Sequence, residues 1–152
     1  MKILAIDPGP TESAYVCLDA GMSIVGKDMI SNDRLLSLLT VHFQDWILVV
    51  EQVASFGMAV GADVFETVFW TGRFCQVWAA RGYPFYRITR HAVKMQLCHN
   101  MRAKDGNIRQ ALIDKLGPQG TKKAPGATYG ISKHCWSALA VAVTFSEQSE
   151  IR

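Results

Sequence analysis

The sequence predicts a single α/β domain built on a five-stranded mixed sheet with helices on both faces. Three short apolar segments at the N-terminus are separated by brief turn sequences, as in an antiparallel meander. A helical segment then leads to a continuous apolar strand, as in a crossover to a parallel neighbour. At 152 residues and 49% hydrophobic content, the chain has the size of one domain that can bury a full core.

The N-terminal part supplies three strands and a helix. The strands, separated by the turn sequences PGP and DAG, are predicted at 2–7, 12–19 and 22–28. The run ILAI in the first of them is typical of a strand covered on both faces. A helix over 33–43 follows, and Ser31 or Asn32 can cap its N-terminus.

The remaining elements alternate between strands and helices. The segment WILVVEQ predicts a fourth strand, and a long helix over 62–81 ends at Gly82 and Pro84. The segment FYRIT predicts the fifth strand. Further helices are predicted at 90–97, 105–116 and 132–146. We find no internal repeat and no linker that would divide 1–152 into two domains.

Composition favours a cytoplasmic protein with reduced thiols. Only four apolar residues precede Asp7, too few for a signal peptide, and no uncharged run approaches the roughly 20 residues of a membrane helix. The four cysteines lie far apart, without the spacing of a zinc site or a redox motif. We expect no membrane association and no small-molecule cofactor.

Two carboxylates end the two apolar strands, Asp7 after ILAI and Glu51 after ILVV. If the helix at 33–43 is a crossover, these strands are parallel neighbours, and both carboxylates lie at one edge of the sheet. Close carboxylates repel unless a proton or a divalent cation lies between them, and oxygen ligands suit Mg²⁺ or Mn²⁺ with phosphate. The pair predicts a phosphoryl-transfer site. The alternative is that Asp7 begins a turn and Glu51 caps the next segment.

The charges of the second half and the last helix add to this pattern. The net charge is only +3, but the stretch from Arg73 to Lys133 is rich in lysine and arginine, as in a phosphate-binding surface or a solvated helix face. In GISKHCWSALAVAV, His134 and Ser137 are three residues apart and share a helix face. His134 is a metal-ligand candidate or a hydrogen-bonding residue at the helix start.

Taken in order, these segments resemble the RuvC-type Holliday-junction resolvases of the RNase H-like fold, and especially their phage-encoded members. The resemblance covers nearly the whole chain. It is carried by AIDPGPTESAY, VVEQV, RITRHAVK, KKAPGATYGISKH and SALAVAV.

The resemblance implies a homodimeric endonuclease that cuts four-way DNA junctions symmetrically with two divalent ions, Mg²⁺ or Mn²⁺, per site, leaving 5′-phosphate ends. Asp7, Glu51 and His134 match metal-binding and catalytic positions of the family, and Lys104 falls near a basic residue beside the scissile phosphate. Ser137 departs from the pattern, because family members commonly have aspartate there. Either water completes a metal shell at Ser137 or the activity is reduced.

The resemblance also implies DNA and subunit contacts. DNA contacts are expected from six basic and two aromatic residues: Arg90, Lys94, Arg102, Lys104, Lys122, Lys123, Phe56 and Phe65. The alternatives are a solvated loop for the lysine pair and core packing for the aromatics. The helix at 62–81 has more aromatic residues than one core stripe requires, and we expect a dimer interface formed by Phe69, Trp70 and Phe74.

Two other functions remain open. The IDPGPT turn also resembles the phosphate-binding hairpin of actin-like and sugar kinases, but those enzymes have a second such hairpin, which is not found in this sequence. A branched-DNA-binding protein of the same fold that no longer cuts is the other alternative, and Ser137 favours it.

Overall fold

The computed structural model describes residues 1–151. Its strands are β1 (Ile3–Asp7), β2 (Glu12–Leu18), β3 (Ile24–Ser31), β4 (Ile47–Gln52) and β5 (Phe85–Thr89). Its helices are α1 (Asn32–Val41), α2 (Ala62–Ala80), α3 (Arg90–Cys98), α4 (Asp105–Leu116) and α5 (His134–Glu150).

The strands form one mixed sheet in the order β3-β2-β1-β4-β5. The strand β1 is antiparallel to β2 and parallel to β4, and β4 is parallel to β5. The predicted fold class is therefore confirmed, with α1 as the crossover that makes β4 parallel to β1. The carboxylate-bearing strand β1 is the central strand of the sheet, and β4 lies beside it.

The boundaries of several helices and strands differ from the predictions by a few residues, because of strand pairing or a positive φ angle next to the boundary. β3 continues to Ser31 because that residue still pairs with Glu12 of β2. α1 ends two residues early, and Phe43 has a φ of 62°, which a helix does not allow. α5 begins at His134 because Lys133 has a φ of 50°.

Alternate residues of the central strands enter two separate cores. In β1, Ile3 and Ala5 face the layer of α3, α4 and α5, whereas Leu4 and Ile6 face the layer of α1 and α2. This double burial explains the continuous apolar run of β1, because both faces of the strand are covered. The fold therefore has three layers, and α5 packs directly on β1 and β2.

The structure corrects two of the predicted dimer contacts. Phe74 is fully buried and Trp70 is 9% exposed, and both pack in the core below α2. They lie four residues apart on one helix face together with Trp78, which is also buried. Phe69 lies on the other face and is 57% exposed. The prediction of Trp70 and Phe74 as interface residues was wrong, because the sequence indicated two aromatic faces but not which one meets the sheet.

Two smaller expectations can be compared directly with the structure. The four cysteines are free thiols, with Cys17, Cys75 and Cys135 buried and Cys98 partly buried. Among the described residues, none of the helices has the length and apolar character needed to cross a membrane.

Candidate active site

Strand geometry brings Asp7 and Glu51 to one face at one edge of the sheet. Asp7 continues the side of β1 that carries Ile3 and Ala5, and Glu51 continues the side of β4 that carries Val49, so both carboxylates face α5. Because Ile6 and Val50 are aligned in the parallel pair, the next residues of the two strands are neighbours. The sequence-based expectation that these carboxylates share a site agrees with this arrangement.

A buried polar network fixes the turn that follows Asp7. The Gly9 N–H donates to Ser13 Oγ at 3.1 Å, and the Ser13 hydroxyl donates to Asn32 Oδ1 at 2.6 Å. The Asn32 amide then donates to the Gly9 carbonyl at 2.9 Å. A Cβ at position 9 would lie 2.3 Å from the Glu12 carbonyl oxygen, so only glycine fits there. The closed network holds the end of β1 in one conformation.

The surroundings of Asp7 and Glu51 disfavour the ionised form of both carboxyl groups. Burial raises the pKa of Glu51 to about 7, and the neighbouring Asp7 adds to the shift. Burial also raises the pKa of Asp7, although His134 opposes the increase. Glu51 Oε2 is buried and has no hydrogen-bond partner. An unpartnered buried carboxylate oxygen is a strong acceptor for a proton or a cation.

His134 lies against Asp7 from the first turn of α5. Its Nδ1 is 2.9 Å from Asp7 Oδ2, and its side chain is 62% exposed. The imidazole is therefore oriented by a carboxylate while the rest of the ring is open to solvent. This contact is the arrangement in which a histidine can accept or donate a proton at its other nitrogen.

Ser137 contacts Arg90, which the sequence predicted only as a DNA contact. Arg90 Nη1 donates to Ser137 Oγ at 3.4 Å, and Arg90 Nη2 pairs with Asp105. Arg90 follows β5 directly, and β5 is the parallel neighbour of β4. The strand-end argument that identified Asp7 and Glu51 could therefore also have identified Arg90.

These residues line a cavity of about 560 Å³. Its charged members, besides His134, are three acids and three bases: Asp7, Glu51, Asp105, Arg90, Arg109 and Lys133. Asp105, Arg109 and Lys133 were not predicted as site residues. Lys104, which was predicted beside the scissile phosphate, is the exposed N-cap of α4 and does not line this cavity. Its neighbour Asp105 lines the cavity instead.

The other four basic residues predicted as DNA contacts do not line this cavity. Arg102, Lys122 and Lys123 are exposed, and Lys94 is partly buried. The two lysines lie in a turn closed by a bridge between Gly120 and Pro125.

The predicted aromatic wedge residues are both at the surface. Phe56 is 56% exposed, and its ring stacks on His91 with centroids 3.8 Å apart. Phe65, in the first turns of α2, is 66% exposed. Core packing, the alternative considered for these two side chains, does not describe their positions.

Two solved structures resemble the chain over almost its whole length. Thermus thermophilus RuvC matches with a TM-score of 0.73 and 19% sequence identity, over 99% of this chain and 96% of RuvC. The chain has the RuvC fold. A second structure, T. thermophilus RuvC in complex with a Holliday junction substrate, matches with a TM-score of 0.73, 20% identity and the same coverage. No protein-family model and no curated protein matches the sequence.

A divalent metal ion, which the RuvC resemblance implies, fits one part of the site better than the other. Between Asp7 and Glu51 the donors are hard carboxylate oxygens, one of them buried without a partner, as Mg²⁺ or Mn²⁺ prefers. On the other side, His134 is engaged by Asp7 and Ser137 Oγ by Arg90. Within residues 1–151, no three histidine, cysteine, aspartate or glutamate side chains are arranged to hold a metal ion. Asp7 and Glu51 are therefore the residues that would hold a divalent ion, with water and phosphate oxygens as further ligands.

Proposed function

We propose that this chain is a metal-dependent endonuclease that resolves four-way DNA junctions and related branched DNA by paired, symmetric hydrolysis. The observation that carries the proposal is the convergence of Asp7 and Glu51 at the carboxyl ends of β1 and β4, with a buried carboxylate oxygen left unpartnered. Branched DNA is chosen because RuvC, which shares the fold, has been solved with a Holliday junction substrate. A cytoplasmic location belongs to this proposal, and the likeness to phage-encoded members rests on the sequence alone.

The proposed reaction is hydrolysis without a covalent enzyme intermediate. The oxygen of water bonds to phosphorus, the bond from phosphorus to the 3′ oxygen breaks, and its electron pair stays on that oxygen. When bound, Mg²⁺ or Mn²⁺ supplies Lewis acidity at the phosphate. His134, oriented through Nδ1 by Asp7, accepts the proton of the water at its other nitrogen. The 3′ oxygen takes a proton from solvent, which leaves a 5′-phosphate and a 3′-hydroxyl.

A homodimer completes the proposal. A four-way junction has two equivalent strands, and a two-fold dimer presents two identical sites to them. The exposed outer face of α2 around Val68 and Phe69 is the surface we assign to this contact, whereas Phe65, in the first turns of the helix, stays a predicted DNA contact.

The test is cleavage of a synthetic four-way junction with Mg²⁺ or Mn²⁺, with a linear duplex of the same sequence as substrate control. We expect Asp7→Asn and Glu51→Gln each to lower the cleavage rate by at least about 10³-fold, because each removes a charge that the metal requires. Junction binding should stay equal or become tighter, since a negative charge near phosphate is lost. Asp33→Asn, an exposed acid in α1, is the matched control and should cut normally.

Two results would contradict the proposal. Near wild-type cleavage by Asp7→Asn or Glu51→Gln would remove these residues from the chemistry. Equal cleavage of junction and linear duplex would leave a nuclease without selectivity for branched DNA.

A second candidate is a protein that binds junctions without cutting them, favoured by the contact between Ser137 and Arg90. A serine hydroxyl is a weaker ligand than a carboxylate, and the adjacent guanidinium opposes a cation. Tight junction binding by wild type with no product under either metal would favour this candidate.

A further inference from the structure

Arg90 places a positive charge directly beside Ser137. Its guanidinium donates to Ser137 Oγ at 3.4 Å and pairs with Asp105, and its side chain is 26% exposed. A guanidinium carries a full positive charge, and it has N–H donors but no acceptor. A metal ion next to Ser137 would have to lie beside it.

The charges of the cavity make a second divalent ion unfavourable. Three carboxylates are matched by Arg90, Arg109 and Lys133, so one divalent ion already makes the cavity positive. Like charges repel more strongly near a protein surface than in bulk water, and a second divalent ion beside a guanidinium would meet this repulsion. No free carboxylate is present beside Ser137 to offset it, because Asp105 is already paired with Arg90.

We propose that this site works with a single divalent cation, held by Asp7 and Glu51, and that the Arg90 guanidinium binds the scissile phosphate in place of a second cation. The inference rests on the proposed nuclease function. A planar guanidinium can donate two parallel hydrogen bonds to two phosphate oxygens, which also fixes the orientation of the phosphate. Arg90 makes and breaks no covalent bond. It stabilises the negative charge that develops on the phosphate oxygens as water attacks.

The pairing with Asp105 leaves Arg90 available for this task. The guanidinium carries five N–H donors, and the contacts with Ser137 and Asp105 engage only part of this set. The remaining N–H donors can therefore bind a DNA phosphate while Asp105 stays paired. The Ser137 hydroxyl, on the ordered helix α5, remains as a contact that positions the guanidinium.

The first test counts ions without cleavage. Mn²⁺ is titrated into the wild-type protein, and unbound Mn²⁺ is measured by its electron paramagnetic resonance signal. We expect one bound ion per chain in wild type and in the control Arg34→Gln, which changes an exposed arginine of α1. The double variant Ser137→Asp with Arg90→Gln should bind a second ion, because it gains a carboxylate and loses the opposing charge. Two ions, or none, in wild type would overturn the inference.

The second test measures single-turnover cleavage of a four-way junction. Arg90→Gln should lower the rate at saturating DNA by about 10²-fold or more, while junction affinity changes only a few-fold. Arg90→Lys should recover part of the rate. Guanidinium ion added to Arg90→Ala should accelerate cleavage, which a purely structural role for Arg90 would not produce. A wild-type rate for Arg90→Gln would overturn the role of Arg90. If wild type cuts no junction, the nuclease proposal fails, while the ion count still decides the occupancy of the site.

Discussion

Glu51 is a residue whose ionisation opposes folding. Burial raises its pKa to about 7, against an ordinary value of 4.5. Between these two values the folded chain binds more protons than the unfolded chain, so the free energy of unfolding falls as pH rises. A shift of this size lowers the free energy of unfolding by roughly 3 kcal/mol, and the full decrease is reached above about pH 7. A cation bound at Asp7 and Glu51 would offset the loss, which links the stability of the protein to its proposed metal.

Glu51→Gln should therefore stabilise the protein at alkaline pH in the absence of divalent ions. In urea unfolding with EDTA at pH 8, we expect the variant to gain about 2–3 kcal/mol over wild type, and at pH 4.5 the two should be nearly equal. The control Glu66→Gln changes an exposed acid of α2 and should leave the pH profile unchanged. A parallel decline in Glu51→Gln and wild type would show that Glu51 does not carry the pH dependence.

The turn between β1 and β2 is the element that sets the position of Asp7. Asn32 bridges the Gly9 carbonyl and the Ser13 hydroxyl, and it is 1% exposed. Asn32→Ala leaves these buried groups unpaired and should lower the free energy of unfolding by roughly 1–3 kcal/mol. Junction cleavage should fall more than binding, because Asp7 loses its fixed position. Asn100→Ala, an exposed side chain that also bonds to backbone, is the control for unfolding and cleavage. Unchanged stability in Asn32→Ala would show that the network is not needed.

The periodicity of apolar residues predicted most helices and strands correctly. It did not predict the roles of side chains whose partners are distant in the sequence. The apolar runs of β1 and β4 and the long helix α2 were identified because each pattern is local. Asn32 was interpreted as a helix cap. Its partners Gly9 and Ser13 are distant in sequence and are brought to it only by strand pairing. Trp70 and Phe74 were misassigned for a related reason, since helix periodicity separates faces but does not say which one is covered.

At the scale of the whole molecule, the sheet topology determined which site residues could be predicted. Asp7 and Glu51 follow from parallel neighbours that end in carboxylates, whereas His134 was indicated by the resemblance to the resolvases. Asp105 could not be found in this way, because it starts a helix after a loop whose path the sequence does not specify. The pairing of Asp105 with Arg90 depends on the packing of α3 and α4 beside the sheet.

The outer face of α2 is the surface through which the proposed dimer would make two symmetric cuts. Phe69 is 57% exposed there, beside an apolar groove that α1 and α2 line together. Burying this aromatic side chain against a second copy is favourable, and truncating an aromatic that anchors an interface costs about 2 kcal/mol or more. Phe69→Ser should therefore weaken the dimer by about tenfold or more in sedimentation equilibrium. Its fold should be retained, because the core residues Trp70 and Phe74 are untouched.

Val25→Ser, a 57% exposed apolar side chain on β3, is the matched control and should leave the dimer unchanged. Because paired cuts require both sites on one junction, Phe69→Ser should also shift the product from two coordinated cuts towards single nicks. That shift can be read from a supercoiled plasmid carrying a cruciform, in which paired cuts linearise the plasmid and single cuts only relax it. The prediction would be contradicted by wild-type protein that stays monomeric with and without junction DNA and still linearises the plasmid. That result would show that symmetric cleavage does not depend on this face of α2.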